Sequence, residues 1–160
     1  MPQVKVEALV PDTDADTVFA RISDFERYSH YTDAVREITV RPLGDGLAES
    51  AWSVNFRNGI LCWSERDHID PAQRVITFEQ LDGDFEELSG QWTVTSAGED
   101  ARVVFTTEFD LGMPSIAAMI NPVAERILQE NIEAILRGLL REYTVRFSAE
   151  AEPSASASNA

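Results

Sequence analysis

Residues 123–147 constrain the fold of this chain more than any other stretch. Ile127, Leu128, Ile132, Ile135, Leu136, Leu139, Leu140 and Tyr143 recur there at three- and four-residue steps, the spacing of a helix with one apolar face. A helix of this kind must lay that face on something, and what precedes it reads almost wholly as strands. Asn131 breaks the stripe: it lies four residues after Ile127 and four before Ile135, so its amide points where the apolar side chains point. An amide on such a face is costly unless paired. Either a buried protein partner satisfies it, or a ligand does.

Strand patterns occupy residues 4–10, 35–41, 47–56, 60–69, 74–81, 86–95 and 102–111. Between the first two lie a short helix opened by Asp12 or Asp14, with Val18, Phe19 and Ile22 on one side, and an aromatic segment from Phe25 to Tyr31. Gly44-Asp45-Gly46, Asn58-Gly59, Asp70-Pro71, Asp82-Gly83-Asp84 and Gly98-Glu99-Asp100 punctuate the later strands. Connections this short imply antiparallel neighbours. The expected architecture is α+β: a curved antiparallel sheet of about seven strands, two short helices, and the long helix across the concave side. One helix cannot fill a strongly bent sheet, so the space between becomes an aromatic core or a pocket. Residues 1–147 are expected to form one domain, and the Ala/Ser/Glu-rich residues 148–160 a disordered tail.

The charge narrows the partners. With 13 Lys and Arg against 28 Asp and Glu, the formal net charge is −15, which disfavours nucleic acid and anionic membrane surfaces. A neutral or cationic small molecule remains compatible. The single Cys62 rules out an internal disulfide, no apolar run is long enough to span a membrane, and a reducing cytoplasm is the expected compartment. His30 and His68 are too few for a metal cluster, and no cofactor is expected.

Strand alternation assigns the inward side chains. Val103, Phe105, Thr107 and Phe109 form one inward set; Leu88, Gly90, Trp92 and Val94 a second; Ile76, Phe78 and Gln80 a third. On residues 60–69 the set Leu61, Trp63, Glu65, Asp67 competes with Ile60, Cys62, Ser64, Arg66, His68, and the Trp63 set is assigned inward. Two carboxyl groups then enter the interior roughly 7 Å apart along one strand. In a poorly hydrated site they repel, which raises at least one pKa and supplies an acid and a base near neutrality. The opposing reading makes Glu65 and Asp67 solvated residues near a strand end. Thr107 and Gln80 can equally be ordinary hydrogen-bonded interior groups, and Trp63, Trp92, Phe105 and Phe109 ordinary core.

Taken in order, Val18-Phe19, Asp24-Phe25-Glu26-Arg27-Tyr28, Trp63, Asp70-Pro71, Arg74-Val75, Gly90-Gln91-Trp92, Glu108-Phe109-Asp110 and the helix bearing Asn131 resemble the Bet v 1/START-like helix-grip superfamily. Within it they resemble the bacterial polyketide aromatase/cyclases. The resemblance implies an interior cavity in which a linear poly-β-ketone, delivered by an acyl carrier protein, undergoes aldol cyclisation and dehydration. Trp63, Trp92 and Asn131 match cavity positions. The chain departs from the pattern where aromatic-polyketide cyclases place a tyrosine and two arginines, since Val35, Asp67 and Gln80 stand there, and Thr107 stands where a related branch has a histidine. Arg66 lies one residue from an expected arginine.

Three accounts follow: a cyclase using Glu65 and Asp67, with Arg66 as a further candidate; a non-catalytic carrier of a polyketide, quinone or lipid; and a stress or regulatory protein with an incidental ligand. Gln80, Trp63, Trp92, Phe105, Thr107, Phe109 and Asn131 are the expected ligand contacts. Arg126, Arg137, Arg141 and Arg146 are the candidates for a basic patch toward an acidic carrier protein, and an exposed sheet edge offers a route to a homodimer.

Overall fold

A computed structural model describes residues 1–56 and 59–148. Asn58 of the expected Asn58-Gly59 turn, and residues 149–160 of the expected tail, lie outside the described residues. The strands are β1 (Gln3–Val10), β2 (Val35–Gly44), β3 (Leu47–Phe56), β4 (Gly59–Asp70), β5 (Val75–Gly83), β6 (Glu87–Ala97), β7 (Asp100–Asp110) and β8 (Arg146–Phe147). They form one antiparallel sheet in the order β2-β3-β4-β5-β6-β7-β1-β8. The seven strand patterns read from the sequence are therefore present, and β8 is an addition.

Between β1 and β2 run α1 (Ala15–Ser23), a 3₁₀ turn (Phe25–Arg27) and α2 (Tyr28–Tyr31). Asp14 is the N-cap of α1, its carboxylate accepting from the Thr17 amide, which satisfies one of the amides that a helix start leaves free. Val18 and Ile22 point from α1 into the core and are fully buried.

The long helix, α3 (Ala117–Leu139), corrects the expected span of 123–147 at both ends. It begins earlier because Pro122 costs only one backbone bond at an exposed position and the helix runs through it. It ends earlier because of a contact distant in sequence. The Arg21 guanidinium, from α1, donates to the Leu139 carbonyl at 2.6 Å and pairs with Glu142 at 2.7 Å. A terminal carbonyl that would otherwise lack a partner is thereby satisfied. The chain then turns, and Phe147 pairs opposite Ala8 of β1, buried beneath Arg137 at 4.7 Å.

Ala124, Ile127, Ile135, Leu136 and Leu139 form the buried face of α3, which packs on β1 and against α2. This is the helix-grip arrangement. Among the described residues no helix is long and apolar enough to cross a membrane.

Gly138 makes the seam between α3 and α2 possible. A Cβ there would lie well inside contact distance of the Tyr31 carbonyl oxygen and 3.1 Å from Thr32 Cβ. Alanine is the better helix former by about 1 kcal/mol, yet backbone atoms are the obstacle here and cannot step aside. We expect Gly138→Ala to destabilise the protein by about 1–3 kcal/mol, against helix propensity, as read by urea unfolding.

Candidate functional site

The site is built from β3 and β4 outward. The pair is in register with Phe56 opposite Gly59, which sets Trp52 opposite Trp63 and Ser50 opposite Glu65. With period-two alternation, Ala48, Ser50, Trp52 and Val54 share the inner face with Leu61, Trp63, Glu65 and Asp67. Glu65 is 3 % exposed and Asp67 is 0 % exposed, so the inward assignment of the Trp63 set holds. A β-bulge between Ser64 and Glu65 in the β4–β5 ladder sits beside the carboxyls, a usual place for a strand to re-aim a side chain. Gly83, at the end of β5, allows that strand to cross Trp63, since a Cβ would come within 2.5 Å of the Trp63 Cα.

Arg66 is not part of this site. It faces the opposite, solvent side of the sheet and pairs with Glu49 at 3.3 Å, so the register shift that would have brought it inward does not occur. A surface depression of about 840 Å³ lies on that same side and takes in Lys5, Arg66, His68, Glu79, Gln91 and Glu108. Its open form and mixed charges are those of a solvated sheet face.

Between the inner face and α3 lies an apolar cavity with a free volume of about 70 Å³. Trp63, Glu65, Trp92, Phe105, Thr107 and Asn131 line it as expected, joined by Tyr28, Trp52, Phe78, Phe85, Leu88 and a stretch of α3. Three expected members take other places. Phe109 is fully buried core behind Phe85, with ring centroids 6.0 Å apart. Gln80 uses its amide to hold the β5–β6 loop, donating to the Phe85 carbonyl at 2.9 Å and accepting from the Phe85 amide at 3.3 Å. Asp67 does not line the cavity; it is fully buried and accepts from Ser50. The volume is also below the roughly 300–1,000 Å³ of a pocket that encloses a ligand, so a bound molecule requires α3 and the sheet to part.

Aromatic rings close the chamber. Trp52 and Trp63 stack with planes 2° apart and centroids 5.9 Å apart, and Phe85 meets Trp63 edge-on at 5.6 Å. Asn131 donates its amide to the Asn55 carbonyl at 2.8 Å; it has a protein partner and also lines the cavity, so the two readings of this residue are compatible. The Thr107 hydroxyl donates to the Ser89 carbonyl at 2.7 Å.

One indole and a serine supply donors to the carboxyls, and a second indole donates to that serine. Trp63 Nε1 donates to Glu65 Oε1 at 2.7 Å. Trp52 Nε1 donates to Ser50 Oγ at 2.8 Å, and Ser50 Oγ donates to Asp67 Oδ2 at 2.5 Å. Sequence reasoning missed Ser50 and Trp52, although counting back along the hairpin from Phe56 and Gly59 places both opposite the Trp63–Glu65 segment.

Burial pushes the Glu65 carboxyl well above the usual carboxylate range, and the adjoining Asp67 pushes it further, against a smaller downward pull from the Trp63 N–H. Burial also raises Asp67, while hydrogen bonds from Glu65 and Ser50 act in the opposite sense. The Tyr28 hydroxyl is raised by burial and then by the nearby carboxyls, and it donates to the Ile22 carbonyl. No group of His, Cys, Asp and Glu among the described residues has the arrangement of a metal site.

Of the arginines expected to form a basic patch, only Arg126 and Arg137 lie on α3. Arg141 follows the helix and stands over the Tyr31 ring at 5.2 Å, and Arg146 belongs to β8.

Residues 12–136 match the family described as polyketide cyclase / dehydrase and lipid transport. No curated protein matches the chain. Among solved structures it is similar to TTHA0849 from Thermus thermophilus, at 26% identity and a TM-score of 0.79, over 86% of this chain and 94% of that one. It is similar to the Zhui aromatase/cyclase from Streptomyces sp. R1128, at 22% identity and a TM-score of 0.76, over 88% of this chain and 92% of that one. A START superfamily protein from Mycobacterium smegmatis shares 16% identity with a TM-score of 0.75, over 89% of this chain and 99% of that one. At these identities the last two likenesses are of fold alone.

The raised Glu65 carboxyl has a consequence for stability. Native Glu65 keeps its proton above 4.5, the value an unfolded chain would show, so the native state binds more protons than the unfolded state over that range. Its contribution is complete below about 4.5 and is lost as pH rises through the native value. Urea unfolding should show the protein losing stability above that pH, and Glu65→Gln, which keeps a neutral group in place, should flatten the profile. A variant with the parent's slope would contradict the assignment.

Proposed function

We propose, from the premise that this chain belongs to the polyketide cyclase/dehydrase and lipid transport family, that it binds a neutral, largely apolar polycarbonyl precursor between α3 and the sheet. There it promotes aldol closure and loss of water, with Glu65 as the acid–base group. The observation that carries this reading is one buried carboxyl on the wall of an otherwise apolar, aromatic-lined chamber. A buried, proton-bearing carboxyl is poised for acid–base work near neutrality.

The chemistry follows from what a neutral carboxyl can do. As an acid, Glu65 gives its proton to a ketone oxygen while the enol carbon of the same chain forms the new C–C bond. As the resulting carboxylate, it takes back the proton that the enol hydroxyl releases as it becomes a ketone. In the dehydration, the carboxyl protonates the departing hydroxyl and the C–O bond breaks; the carboxylate takes the proton of the adjoining carbon as the C=C bond forms, releasing water and restoring the acid. The walls supply orientation: the indole and phenyl rings offer flat apolar surface, while Asn131 and Thr107 offer polar contacts at the margin. Excluding water suppresses side reactions of the polyketone.

A carrier role is the second reading, favoured by the residues Val35, Asp67 and Gln80 at positions where the resemblance to aromatic-polyketide cyclases expects tyrosine and arginine. Native mass spectrometry of gently purified protein identifies the copurifying molecule, and the same compound then serves as substrate. We expect Glu65→Gln to lower turnover about 100-fold or more, the usual worth of a general acid–base group, while affinity changes only slightly. A ligand recovered chemically unchanged by both proteins would establish the carrier instead.

A further inference from the structure

We infer that Asp67 and Ser50 are positioning residues: held as a carboxylate by the Ser50 hydroxyl, Asp67 keeps a single proton on Glu65, the carboxyl that faces the cavity. The placement of the proton stands independently of the function proposed above; only its use in a reaction rests on that reading.

The donor inventory fixes the order. An indole has one N–H and accepts nothing through it. The Trp52 N–H is spent on Ser50 Oγ at 2.8 Å, so the serine accepts there and its own proton goes to Asp67 Oδ2 at 2.5 Å. Asp67 is thus the acceptor at that oxygen. Its other oxygen, Oδ1, is buried and has no hydrogen-bond partner among the described residues. A buried carboxylate oxygen left bare is expensive. The Glu65 and Asp67 carboxyls share one face of β4 and lie within hydrogen-bonding reach of each other, and a proton on Glu65 would supply the missing donor. Glu65 Oε1 already accepts from Trp63 Nε1 at 2.7 Å, so Oε2 is the oxygen that carries the proton.

The other surfaces around Glu65 support the count. Asp67 on its own strand and Tyr28 from α2 are the titratable neighbours, and the Tyr28 hydroxyl is occupied by the Ile22 carbonyl. β3 and β5 place Ser50 and Gln80 opposite Glu65, while Trp52, Phe78 and, from α3, Leu128, Asn131, Ile132 and Ile135 face the chamber. None of these titrates or brings a compensating cation. Two ionised carboxylates would therefore stand together in a dry site, whereas one shared proton leaves a single charge held by Ser50.

The test reads the proton directly, on the full chain without ligand, by infrared spectroscopy with ¹³C-carboxyl labels on Glu or on Asp. At neutral pH we expect a protonated-carboxyl C=O band that shifts with the Glu label, ignores the Asp label, and vanishes in Glu65→Gln. Asp67→Asn should lower the titration midpoint of that band by about one pH unit or more, because a like charge has gone and an amide donor has replaced it. Ser50→Ala should move the label sensitivity from Glu to Asp, and Ser50→Thr, which keeps the hydroxyl, should restore it. Absence of the band in the parent, or its response to the Asp label there, overturns the placement without any variant needing to fold. An unmoved midpoint in Asp67→Asn, or Ser50→Ala matching the parent, overturns the positioning role. Turnover plays no part in these readings, so their failure is separate from failure of the cyclase function.

Discussion

Two carboxyl groups on one face of one strand cannot both be charged in a dry interior, and the surroundings of β4 are arranged around that constraint. Ser50 and Trp63 bring hydrogen bonds to the pair, and Trp52 stands behind Ser50. The hydroxyl of Tyr28, which senses both carboxyls, is turned to a backbone carbonyl. Among the described residues no cation neutralises the pair; Arg66, next in sequence, points to solvent. Hydrophobic residues of similar size would serve stability better at such a place, since buried ionisable groups contribute little net stabilisation even when well paired. A fold that nevertheless retains Glu65 and Asp67 under an apolar helix is tolerating a local cost, which is characteristic of functional sites.

The same packing explains why the chamber is small. The stacked Trp52 and Trp63 rings, with Phe85 and Phe105 around them, fill most of the space that the curvature of the sheet creates. α3 is not held uniformly against it. Its second half is anchored by Ile135, Leu136 and Leu139 and by the Arg21 cap, whereas Ile116, Met119 and Val123 near its start are exposed. Elements with few buried apolar contacts open at the least cost in free energy, so the first turns of α3 are where parting helix from sheet costs least.

How much was legible in the sequence depended on whether a feature was set by local periodicity or by a distant contact. The strands and the inward face of β4 followed from alternation and turn residues, which is why Glu65 and Asp67 were found where expected. The helix end did not follow, because Tyr143 and Phe147 continue the apolar spacing while Arg21, far away in sequence, decides where the helix stops. Gln80 and Phe109 have the right parity for the cavity, yet parity fixes a face and not a depth; Gln80 was claimed by the Phe85 backbone. Ser50 and Trp52 were accessible through hairpin register, a step beyond reading each strand alone.

The departures from the aromatase/cyclase pattern then acquire a chemical sense. An arginine in such a cavity holds a fixed positive charge and stabilises a developing enolate by attraction, without giving up a proton. A neutral carboxylic acid does the reverse: it offers a proton and leaves an anion behind, which in this chain would face a second carboxylate. That arrangement suits a step in which oxygen must be protonated, such as carbonyl activation or departure of water, better than one in which a free enolate must persist. Membership of the family therefore goes with the fold, whereas on the proposed function a carboxyl at the wall, Glu65, backed by Asp67 where the resemblance expects a guanidinium, alters which stage of the chemistry the chamber can assist.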